Sequence, residues 1–135
     1  MRRPALAAAL ALWAAVAAAA ETRLSPLDFD TLSSGKTLFF KQNGIPYGAE
    51  QYLPDRQVIW QYGDGSCTRG TWYIQGEAMC FVYEDAPVPQ CWIMAERPAG
   101  VFVRRAGTEP GHGSEIRLDR ETTAPLVCAG PDLGV

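Results

Sequence analysis

From residue 37 onward the chain breaks into segments of five to eight residues, rich in aromatic and β-branched side chains, each closed by glycine, proline or aspartate. That rhythm predicts antiparallel strands joined by tight turns. The expected strands are 37–42, 47–53, 57–62, 67–74, 78–83, 90–95, 101–105 and 114–118. The turns fall at Asn43-Gly44, Pro54-Asp55, Gly63-Asp64-Gly65, Gln75-Gly76 and Pro98-Ala99-Gly100. In the middle strands both alternating sets are bulky: Val58, Trp60 and Tyr62 oppose Ile59, and Met79, Phe81 and Tyr83 oppose Cys80 and Val82. A sheet with one wet face alternates more cleanly, so both faces must be covered, by closure, by a helix or by the tail. The expected fold is mainly β: an antiparallel meander forming a small barrel or curled sheet, with a two-layer sheet as the second choice.

Ahead of the strands, Ser25-Pro26-Leu27-Asp28 carries an N-cap, a proline suited to the first helical position and an acid in the first turn. A short helix ending at Gly35 follows from it. Residues 5–20 are uncharged and apolar behind Arg2-Arg3, and Ala18-Ala19-Ala20 offers small side chains for cleavage before Glu21. The run spans about 24 Å as a helix, too short for a bilayer crossing. Residues 1–20 therefore read as a signal peptide and 21–135 as one domain, periplasmic or secreted, with no transmembrane segment in the mature chain. Loss of the leader leaves 10 basic and 15 acidic residues. Such an acidic balance disfavours nucleic acid as a partner. Arg104-Arg105 reads as a solvated strand end.

Export places Cys67, Cys80, Cys91 and Cys128 in an oxidising space. Joining adjacent strands, the 84–89 connection brings Cys80 opposite or near Cys91. A turn at Gln75-Gly76-Glu77 would set Trp72 across from Cys80 and put Cys67 on the other face. The favoured pairing is Cys80 with Cys91 and Cys67 with Cys128, one of three possible. Gaps of 12, 10 and 36 residues do not supply the close ligand pairs of a zinc site or a C-x-x-C motif. No metal or other cofactor is expected.

Catalytic signals are thin. His112, the sole histidine, sits between glycines in a predicted loop tip without an evident orienting group, and Ser66 lacks a G-x-S-x-G setting. Glu84 and Asp85 precede a proline-rich connection and read as solvated. Glu50 is more pointed, a carboxylate within a strand flanked by tyrosines. No catalytic residue is assigned.

Aromatics recur on consecutive strands, and Trp60, Tyr62, Tyr83 and Glu50 are the candidate binding residues, on a partly exposed aromatic surface, with Trp72 and Trp92 assigned to the core. The spacing Tyr47-Gly48-x-Glu50-x-Tyr52 with Trp60, Gly70-x-Trp72, Cys80-Phe81-x-Tyr83 and Cys91-Trp92 resembles small exported β-rich proteins of unknown function from Gram-negative bacteria. Its Tyr-Gly-x-Glu start is similar to strands of the MORN repeat, without the tandem repetition; the resemblance implies β-hairpin character and no functional residue. The function expected is that of a non-enzymatic periplasmic binding or structural protein acting on an unknown envelope protein or glycan. The alternatives are a small carboxylate-dependent envelope glycan hydrolase, and an inhibitor of an envelope-attacking enzyme that projects a loop at 84–89 or 106–114.

Overall fold

The computed structural model describes residues 21–130, so the expected leader lies outside the described residues. Helix α1 (Pro26–Ser33) starts as its sequence dictates. Ser25 accepts from the Asp28 backbone while Asp28 reaches back to the Ser25 N–H, with Pro26 in the first turn. A short strand, β1 (Thr22–Leu24), precedes it. Eight strands follow: β2 (Thr37–Gln42), β3 (Ile45–Tyr52), β4 (Gln57–Gln61), β5 (Cys67–Gln75), β6 (Ala78–Tyr83), β7 (Ala86–Arg97), β8 (Gly100–Arg105) and β9 (Ile116–Thr122).

Each of these eight pairs antiparallel with the next, and β9 returns to β2, Thr37 lying opposite Thr122. The sheet thus closes into an eight-stranded antiparallel barrel, which leaves the ring no open edge. β1 adds to β7 beyond the start of β6, with Leu24 opposite Met94. Alternation sends Leu38, Tyr52, Val58, Trp72, Phe81, Met94 and Val103 into one interior core. Phe29 of α1, 1% exposed, plugs one end, packing edge-on against Tyr52 and Trp72. The Asn43-Gly44 turn, both residues at positive φ, lies at the opposite end with the 62–66 and 84–85 turns.

Cys67 is bonded to Cys128 and Cys80 to Cys91. The register behind this pairing differs from expectation: the hairpin turns on two residues, Gly76 and Glu77, so Tyr73 rather than Trp72 faces Cys80. Cys67 therefore shares the outer face with Cys80, and distance along the strand separates them. Cys91 stands directly opposite Cys80, whereas Cys67 lies opposite Gln61 at the far end of β5. The tail crosses the outer face, where Thr37, Gln51 and Gln61 side chains bond the backbone of Ala124, Leu126 and Val127. Ala49 and Ile59 are buried on that face. Two disulfides fit a chain that folds in an oxidising, extracytoplasmic space. No helix among the described residues is long and apolar enough to cross a membrane.

Two further expectations are corrected. The 84–89 connection is not a projecting loop, because β7 begins at Ala86 and only Glu84-Asp85 turn. Pro87 and Pro89 are tolerated there because the β6 partner slips from Gln90 to Ala86 and β8 pairs only from Trp92 onward, so their missing N–H groups cost no ladder bond. Arg104 is not solvated. It is 2% exposed, ion-paired with Glu21, and bonded to the Thr108 carbonyl.

Candidate functional site

Between the Phe29 plug and the opposite rim the barrel encloses a cavity of about 250 Å³. An eight-stranded barrel is just wide enough for side chains to fill it or for one small ligand to enter. Nine of its fifteen lining residues are aromatic, which makes the wall flat-faced and apolar. Glu50 is the only carboxylate among them. All four candidate binding residues, Trp60, Tyr62, Tyr83 and Glu50, line this one cavity. They face the lumen rather than an outer sheet surface, because the closed barrel turns that face inward. Trp72 is core as expected, while Trp92 is half-buried on the cavity wall.

Local sequence explains the convergence. Glu50 and Tyr52 alternate inward along β3, and Trp60 stands opposite Glu50 on β4. Gly48 leaves room for the Trp60 indole, since a Cβ there would lie 2.3 Å from it. Gly70, directly opposite Tyr83, does the same for the phenol, whose carbon would be 2.6 Å from an added Cβ. Tyr83 thereby lies across β5 and donates its hydroxyl to Oε2 of Glu50 on β3. Between Phe40 and Lys41 the β3 partner jumps from Gly48 to Pro46 and leaves Tyr47 as a bulged residue, which turns its ring onto the lumen side. Phe40, Tyr47, Tyr52 and Gln90 were not singled out as site residues. The signal available for the bulge and the close approaches was glycine inside a strand pattern.

Glu50 is 3% exposed. Burial pushes its carboxyl up to about 8, against which the hydrogen bonds from Tyr83 and Tyr52 pull only partway. Burial likewise raises Tyr83 and Tyr52 above the ordinary phenol range, with the neighbouring Glu50 adding to it. At the rim Tyr62 donates to Asp85 at 2.7 Å. Its hydroxyl is pushed up to about 12 by desolvation, then by the Asp85 bond and charge, with Asp64 contributing.

A neutral, buried carboxyl at pH 7 can donate or accept a hydrogen bond, or lose its proton when a cation arrives. Glycoside hydrolysis by the usual pair needs a second carboxylate about 5–9.5 Å away across the substrate, and the cavity wall supplies none. His112 is exposed in the β8–β9 loop, its ring bonded to Ser114, and does not line this cavity. Among the described residues no group of three or more His, Cys, Asp or Glu is placed to hold a metal. Comparisons of the chain with protein-family models, with curated proteins and with solved structures returned no match.

Proposed function

We propose that the protein is a non-enzymatic periplasmic binding protein that takes a small organic ligand from the cell envelope into the barrel mouth. The observation that carries this reading is the aromatic cavity with one buried carboxyl on its wall, Glu50, which is hydrogen-bonded by tyrosines but has no cationic partner among the described residues. Small-molecule sites have this composition: apolar walls with a few placed polar groups that fix orientation. A volume of about 250 Å³ lies below the roughly 300–1,000 Å³ of drug-sized sites. That favours a single ring or head group over a glycan chain or protein segment. The disulfides and the leader-like N-terminus support the location.

A thermal-shift screen of small metabolites against the exported protein tests the reading. A ligand should raise the melting temperature and quench tryptophan fluorescence, and Trp60→Ala should lose the response while remaining folded. Binding that survives Trp60→Ala and Tyr83→Phe unchanged, or a screen in which no metabolite raises the melting temperature, would sink it.

A further inference from the structure

We propose that the barrel mouth binds a small organic cation, with an alkylammonium head group held between the Trp60, Tyr47 and Tyr62 rings and the Glu50 carboxylate. This rests on the reading that the cavity receives a ligand, and names the chemistry of that ligand.

The first support is charge. Buried ionisable groups elsewhere in the barrel have partners of opposite sign: Arg104 pairs with Glu21, and Glu115 with Arg97. Glu50 is as deeply buried, yet no ion pair among the described residues includes it, and its partners are phenol hydroxyls. A carboxyl in that position is complete only when protonated or when a cation arrives from outside.

The second support is the arrangement of the rings. Tyr47 and Trp60 are tilted by 56° at 5.8 Å, and Trp60 and Tyr62 are perpendicular at 6.4 Å. An edge-on contact covers one face of one ring, so three rings at steep angles around one cavity keep other negative faces for a ligand, and aromatic cages of this kind hold quaternary ammonium groups. Ring–cation contact already occurs in this barrel, since the exposed Arg105 guanidinium lies 4.4 Å over the Trp92 ring.

The third support lies at the entrance. Asp85 accepts from Tyr62, and Asp64 is near enough to act on the same hydroxyl, so the path past Tyr62 is acidic. Such a rim draws cations and repels anions.

The groups acting on Glu50 are Tyr83 from β6 and Tyr52 from β3; Asp85 and Asp64 act on Tyr62 of β4 at the rim, and Arg105 of β8 lies over the Trp92 ring. With its carboxyl pushed up to about 8, Glu50 holds a proton at pH 7 in the empty cavity. Cation binding must expel that proton. Affinity should therefore rise about tenfold per pH unit below that value and level off above it.

The experiment compares choline, its neutral carbon isostere 3,3-dimethyl-1-butanol and the anion 3,3-dimethylbutanoate, by calorimetry and tryptophan fluorescence on the exported protein at pH 6, 7, 8 and 9. Choline should bind at least tenfold more tightly than the alcohol at pH 8, and release about one proton at pH 7, read from the buffer dependence of the heat. Glu50→Gln, which mimics the protonated carboxyl and is expected to fold, should abolish the pH dependence and cut the preference for choline at pH 8 to what the rings and rim alone supply. If the alcohol or the anion binds as well as choline, the cation inference is overturned and the cavity-binding reading survives. If none of the three binds, the inference is also overturned, and the metabolite screen alone then decides the cavity reading.

Discussion

The Tyr83 ring lies over Gly70, and only the missing Cβ at that glycine lets its hydroxyl reach Glu50 two strands further round the barrel. An added Cβ would also fall 2.6 Å from the Val82 carbonyl oxygen, which belongs to the sheet and cannot move aside. Gly70→Ala is therefore expected to cost about 1–3 kcal/mol, the range for overpacking. It should also detach Tyr83 from Glu50, visible as a changed tyrosine near-UV signal. Gly63→Ala, where nothing lies within 4 Å, is the control and should leave the denaturation midpoint unchanged.

Glu50 sets a pH dependence of opposite sign to that of ordinary paired carboxylates. In the unfolded chain a glutamate loses its proton near 4.5, whereas the folded protein holds it to about 8. Between those values the native state binds more protons than the unfolded one, so this group's contribution is full below about pH 4.5, declines as pH rises and is flat above 8. The expected loss across that window is on the order of 5 kcal/mol. Asp64 is held below its ordinary range by its Ser66 hydrogen bonds, so it acts only at lower pH. Urea titrations at pH 5, 6, 7 and 8 should show the decline in the native sequence and a much flatter profile for Glu50→Gln. Equal slopes in the two proteins would remove Glu50 as the cause.

Strand positions were legible because their signals are local. The 37–42 and 78–83 runs match β2 and β6 to the residue, and the Ser25-Pro26 cap starts α1 where expected. Bulky residues on both faces signalled cover, and the cover came from all three sources: closure through β9 on β2, the Phe29 plug and the tail. Less was legible where partners are remote. Glu50 meets Tyr83 from 33 residues away and Arg104 meets Glu21 from 83, and no local pattern encodes either contact. The lumen position of Trp60 and Tyr62 followed from closure, which reverses the meaning of an exposed aromatic face. Cys67 shares a face with Cys80 because the hairpin register differs from the expected one by a single residue, enough to exchange the faces.

Glu21 and Arg104 form the most buried ion pair of the outer surface, and removing one partner should be far costlier than at an exposed pair. Arg104 is 2% exposed, and its guanidinium would be left with the Thr108 carbonyl and the charge of nearby Glu115, which is already paired with Arg97. Glu21→Ala is expected to destabilise by about 3 kcal/mol. Glu77→Ala, which breaks the exposed pair with Arg23, should change stability by less than about 1 kcal/mol. Chemical denaturation of both variants checks the contrast, and equal effects would mean Arg104 finds water or another partner when Glu21 is gone.

The Cys67–Cys128 bridge spans 61 residues and fastens the tail over the outer face, whereas Cys80–Cys91 spans 11 within one hairpin. Loop-closure entropy assigns the longer bridge roughly 4 kcal/mol and the shorter somewhat less. Their structural consequences should differ more than these energies. Without Cys67–Cys128 the described part of the tail keeps hydrogen bonds such as those at Gln51 and Gln61 and the short bridge between Ser66 and Ala129, all weaker than a covalent tie. Cys67→Ala with Cys128→Ala should therefore open the tail after Thr122 to protease under native conditions while the barrel stays intact. Cys80→Ala with Cys91→Ala should lower the midpoint without exposing the tail, because its anchors are untouched. The native protein, alkylated under denaturing, non-reducing conditions, should keep its mass, since both bridges leave no free thiol. A tail that resists protease in the first variant would show that Ile59 and Ala49 hold it by packing rather than by the bridge.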